Sequence, residues 1–146
     1  VMFECRSNQL YYVTNNELGR QAMEFLERFR PLSRRQDIEL AERALRQAQI
    51  ADEHYVLEGP AILNGIVRLR PRPGAAGDSV GGLAETSGKF LQRLRTLDFN
   101  RLYVQFLVRD DSFELVRRAR DVAEQEGFEW RMRLLAPDEP LEFEIR

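Results

Sequence analysis

Cys5 and His54 are the chain's only cysteine and only histidine. A Cys/His zinc cluster and an intrachain disulfide both need more of these residues, so both are excluded within the 146 residues. A nucleophile and base pair would require the two to meet. Cys5 alternates with Phe3 on the apolar side of a strand pattern, as a small packed hydrophobe does, and His54 stands at a strand start beside two acids. Arg109, Asp110 and Asp111 form the sharpest polar feature, because they follow an apolar strand and ligands of open α/β sheets collect outside the carboxyl ends of strands. Two adjacent carboxylates suit a hard cation or the rim of a small-ligand site. The competing job is helix capping, which needs only Asp111. The glycine-rich stretch before Ser87-Gly88-Lys89-Phe90 lies between a strand and a helix, the order of a phosphate loop, but it lacks both the G-x-G-x-x-G spacing and a Ser or Thr after Gly-Lys. No catalytic motif, metal set or cofactor fingerprint emerges from these residues.

Charge narrows the partner classes. Of the 22 basic residues, Lys89 is the sole lysine, and the arginines are interleaved with 24 acids to leave a net charge of −2. A nucleic-acid binder carries a basic footprint that this distribution lacks, so no nucleic-acid partner is expected. The arginines of 117–120 sit among Asp121, Glu124 and Glu126, which reads as a solvated, salt-bridged helix face. No run approaches the roughly 18 to 20 apolar residues of a spanning helix, and no signal peptide is visible. The chain begins at Val1 inside a strand pattern, so it reads as a piece of a longer protein and its compartment is not legible.

The elements that must position these residues follow from periodicity. Val1, Phe3 and Cys5 alternate with Met2, Glu4 and Arg6, the pattern of a strand with one buried face; Ser7-Asn8 supplies a turn, and Leu10 to Val13 completes an N-terminal hairpin. Thr14 and Glu17 form a capping-box signal for a helix whose stripe is Leu18, Ala22, Phe25, Leu26 and Phe29, with Pro31 as its stop. Ser33 and Gln36 open a second helix through about Gln49. Residues 55–57 and 66–70 read as strands, and the glycine- and proline-rich 71–82 as a flexible loop. With Ser87 as cap, Phe90, Leu91, Leu94 and Leu97 share a face of a third helix. Residues 102–108, apolar on both sides, predict a central strand; Asp111 with Glu114 caps a helix that ends at Gly127. Trp130, Met132 and Leu134 then alternate with Arg131 and Arg133, and Leu141, Phe143 and Ile145 with Glu142, Glu144 and Arg146, as the last two strands. The expected fold class is a single α+β domain with a mixed sheet, an N-terminal hairpin, a βαβ unit near the C-terminus and about four helices.

The run LYVQFLVRDDSFELVRRARDVAEQEGFEWRMRLL (102–135), with the opening FECRSNQLYYV, resembles the soluble domain of the ExbD/TolR biopolymer-transport accessory proteins. In that family a buried strand likewise ends in an Asp-containing turn before a helix, a glycine and another strand. The chain is also similar to uncharacterised bacterial domains with an F-x-C-R hairpin and an FLVRDDSF-like turn. The stretch from Pro31 to Leu97 has no family counterpart, and the family's membrane helix with its functional acid lies outside this chain, so no functional residue carries over. The resemblance implies a bacterial, envelope-associated protein.

Together these features favour a non-enzymatic interaction or assembly module that binds a protein partner or itself. Its candidate interface residues are Trp130, Leu141, Phe143 and Ile145, since aromatic anchors and edge strands both favour association. The alternative is a small-ligand, metal-binding or enzymatic domain with a site around Asp110 and Asp111, flanked by Arg109.

Overall fold

The computed structural model describes residues 1–83, 85 and 88–145. In chain order the elements are β1 (Met2–Arg6), β2 (Gln9–Val13), α1 (Asn15–Leu26), α2 (Arg35–Ala48), β3 (Tyr55–Leu57), β4 (Ile66–Pro71), β5 (Asp78–Ser79), α3 (Lys89–Arg95), β6 (Val104–Val108), α4 (Phe113–Gln125), β7 (Trp130–Leu134) and β8 (Leu141–Glu144). Short 3-10 turns occupy Glu27–Phe29, Gly59–Asn64 and Val80–Gly82. The fold class is α+β. The chain divides into two compact units, Val1–Val13 with Ala76–Glu139, and Thr14–Ala75 with Pro140–Arg146.

The first unit holds a five-stranded mixed sheet in the order β5-β2-β1-β6-β7. Ser7 and Asn8 take positive φ angles of 52° and 56°, the left-handed pair that a two-residue hairpin needs, and they close the antiparallel β1–β2 pair. β1 runs parallel to β6, and β6 parallel to β7, with α4 as the crossover. The middle strand is therefore β1, and the expected central strand lies beside it, starting at Val104 because Leu102 and Tyr103 stay exposed. There is a second departure. Glu4, expected on the solvent face of a one-sided strand, is fully buried. The core gathers Phe3, Phe90 and Phe106 with the apolar faces of α3 and α4; Phe3 and Phe90 meet edge to face at 4.9 Å.

Within the expected loop at 71–82, β5 pairs antiparallel with β2 and Asp78 accepts a 2.8 Å bond from the Phe90 N–H in the first turn of α3. The expected cap, Ser87, lies outside the described residues, as does Arg146 at the end of the last strand. α4 starts one residue later than the capping pattern predicts, with Ser112 at the N-cap position, and Gly127 at φ 88° stops the chain after it as expected.

In the second unit, β3, β4 and β8 form an antiparallel sheet in the order β3-β4-β8. Val67 and Leu69 of β4 and Leu141 of β8 are buried, as is the stripe Leu18, Ala22 and Leu26 of α1. Glycine permits the close packing here: a Cβ on Gly19 would lie 2.9 Å from Val67 Cγ2, and one on Gly59 would lie 2.7 Å from Leu45 Cβ. Thr14 sits at the α1 N-cap position as expected, yet its hydroxyl donates to the Asp52 carboxylate instead of the helix. Asp52 in turn accepts the N–H groups of His54 and Tyr55 at 2.9 and 2.8 Å, which fixes the entry to β3.

Candidate functional site

Two places in the first unit gather the residues singled out by sequence. The first lies where β1 and β6 end. Glu4 carries a buried carboxylate between two guanidinium groups, accepting from Arg6 Nε at 3.2 Å and from Arg109 Nε at 3.1 Å. Arg109 also donates through Nη1 to the carbonyl of Ala136 at 2.7 Å. Arg6 lies over the Tyr11 ring at 4.2 Å. A charged carboxylate taken out of water needs such partners, and here two arginines supply them. Asp111 is turned away from the helix it was expected to cap: both of its oxygens accept the Ser7 N–H at 3.1 Å, and it accepts the Ser112 hydroxyl at 2.9 Å. Ser112, fully buried, accepts the Asn8 N–H at 3.0 Å. The hairpin turn, with its two left-handed residues, points unsatisfied N–H groups at the start of α4, and this draws Asp111 and Ser112 into holding β1–β2. Asp110 is exposed.

Arg109 and Asp111 are engaged within the fold, and among the described residues no group of three or more His, Cys, Asp or Glu side chains converges as a metal site. Cys5, on β1, is fully buried; burial first, and the neighbouring Glu4 carboxylate second, push its thiol well above the usual range, so the reactive thiolate is disfavoured. Among the described residues no helix is long and apolar enough to cross a membrane.

The second place is the β7 side of the sheet. Among the described residues β7 is a terminal strand, paired with β6 along one edge only. The sequence predicts an alternating strand here and the strand forms, but burial does not alternate along it, because its apolar face is not covered: Trp130 is half-buried, while Met132 and Leu134 are 48% and 60% exposed. Phe113, at the first position of α4, adds another exposed aromatic at 44%. Phe113, Val116, Arg117, Arg120, Trp130 and Met132 line a shallow groove of about 160 Å³ between α4 and β7. The Trp130 indole N–H donates to Glu124 at 2.8 Å, and the Arg120 guanidinium lies 5.5 Å from the ring, so the anchor is held in place. On the opposite face of β7, Arg131 stacks over Tyr103 at 4.4 Å and Arg133 pairs with Glu139 at 3.3 Å. A pocket for a drug-sized ligand has a volume of roughly 300 to 1,000 Å³. This groove is smaller, and suits a side chain or two from an extended segment.

Of the other candidate interface residues, Leu141 is buried in the second unit, Phe143 is half-buried and Ile145 is exposed just past the end of β8, its N–H donating to the Gly65 carbonyl at 2.9 Å. Sequence reasoning missed Glu4 and Arg6 as a buried ionic group, and Phe113, Met132 and Leu134 as an exposed one. Period-2 alternation assigns faces without saying which face is covered, so neither was readable from it. Compared with known proteins, the chain matches no family model, no curated protein and no solved structure.

Proposed function

We propose that this chain is a non-enzymatic interaction or assembly module that takes an extended polypeptide segment along β7, in a bacterial, envelope-associated protein of the kind the ExbD/TolR resemblance implies. One observation carries the reading: β7, a sheet edge with no second strand on it among the described residues, lies beside the exposed apolar residues Phe113, Met132 and Leu134. An open edge offers a row of N–H and C=O groups to an added strand, and adjacent apolar side chains give that strand something to bury. The non-enzymatic part draws support from Arg109 and Asp111, whose side chains bond within the fold to Glu4, Ala136, Ser7 and Ser112.

Trp130 is the chain's only tryptophan and lines the groove, so its emission reports on occupancy. The test titrates dilute protein with three synthetic strand-forming peptides in which apolar residues alternate with glutamate, lysine or serine. At least one peptide is expected to shift Trp130 emission saturably, and Met132→Glu, which places a charge on the apolar face, is expected to abolish the shift. If none of the three alters the emission up to millimolar concentration, the reading is wrong.

A further inference from the structure

β7 ends the sheet of the first unit, and β8 ends the sheet of the second. Each strand is paired along one edge only, so each keeps a second edge with no strand on it among the described residues. Their side chains match in period and oppose in charge. β7 presents Trp130, Met132 and Leu134 on one face and Arg131 and Arg133 on the other, while β8 and the residue after it present Leu141, Phe143 and Ile145 against Glu142 and Glu144. Arg131, Arg133, Glu142 and Glu144 are all exposed.

Three pairings of these edges between copies are possible, and cross-strand chemistry separates them. Two copies of β7 would set arginine against arginine, and two copies of β8 would set glutamate against glutamate; like charges directly opposite each other destabilise a sheet. β7 against β8 sets apolar beside apolar and arginine beside glutamate over five successive positions. The match holds in either strand direction, because Met132 and Phe143 each lie at the centre of the alternation. The side chains already have local neighbours, Arg133 with Glu139 at 3.3 Å and Glu142 with Arg68 at 2.7 Å, but exposed pairs of this kind are weak enough to be shared or exchanged.

We infer that the chain self-associates, the free edge of β7 in one copy adding to the free edge of β8 in another. This rests on the interaction reading above and names a second copy of the chain as the occupant of the β7 edge. The contact joins two different strands: two copies that exchange it reciprocally close as a two-fold dimer, and otherwise it propagates as an open chain or a larger ring.

Light scattering behind a sizing column, over a range of protein concentration at low and high salt, tests the assembly. The wild-type mass is expected to rise with concentration above that of a monomer and to fall as salt screens the charges. The double reversals Arg131→Glu with Arg133→Glu, and Glu142→Arg with Glu144→Arg, are each expected to weaken self-association by about tenfold or more. An equimolar mixture of the two variants is expected to restore it, because each reversed strand then meets its complement. Circular dichroism checks that the variants are folded; if a double reversal unfolds, the single reversals Arg131→Glu and Glu144→Arg take its place. A wild-type chain that stays monomeric, or a mixture that fails to restore assembly, would overturn the inference. The two readings separate cleanly: a monomer whose Trp130 emission still answers a peptide rejects self-assembly and keeps the interaction reading, and a monomer with silent emission rejects both.

Discussion

Glu4 shows how much depends on one side chain. Its carboxylate has no exposure and is held by Arg6 and Arg109, whose side chains are 25% and 13% exposed. Removing one member of a buried ionic group leaves the others desolvated without compensation, a loss that commonly costs 3 to 5 kcal/mol. Glu4→Ala is expected to fall near the low end, about 3 kcal/mol, because the arginines are partly hydrated. Urea unfolding measures it; a loss under about 1 kcal/mol would mean that water replaces the carboxylate and that the group is not structural. The same residue shows the limit of local pattern. Its neighbours Phe3 and Cys5 were legible as core from alternation alone, whereas the burial of Glu4 depends on what covers the other face of β1.

At the scale of the element, helices were readable from their stripes and their caps were not. α1, α2, α3 and α4 occur where the spacing predicts them, since the apolar period of a helix is a property of the local sequence. The caps depend on neighbours. Thr14 turns to Asp52, Asp111 to Ser7, and α3 receives the carboxylate of Asp78 from a different element. Asp78→Ala is therefore expected to destabilise the fold by about 1 kcal/mol, the usual worth of a lost cap. The Phe90 amide should also exchange faster with deuterium. Unchanged exchange at Phe90 would show that the bond from Asp78 contributes nothing to α3. Strand β7 belongs to the same lesson: its alternation was legible and its exposure was not, because a period of two looks the same whether the apolar face meets a helix or water.

At the scale of the whole molecule, each of the two units has its own buried apolar centre. Phe3, Phe90 and Phe106 anchor one, and Leu18, Leu45, Val67 and Leu69 belong to the other. Leu69→Ala is expected to cost about 3 kcal/mol, as a buried leucine truncated in a packed core does. Amide hydrogen exchange is expected to accelerate in residues 14–75 and 140–145 more than in 76–139. A uniform acceleration across both units would instead mean that the chain opens as one cooperative body.

The sequence by itself determined the α+β class, the hairpin at the N-terminus, the positions of the four helices and the absence of a cysteine and histidine metal cluster. These follow from composition, period and turn chemistry, all of which act over a few neighbouring residues. Only the tertiary structure decided that β1 and not β6 lies in the middle of its sheet, that Arg109 and Asp111 hold the fold together at the end of that sheet, and that β7 and β8 each end a sheet. The reason is physical. Strand order, coverage of a face and the partner of a polar side chain are set by residues distant in the chain, and local alternation carries no record of them.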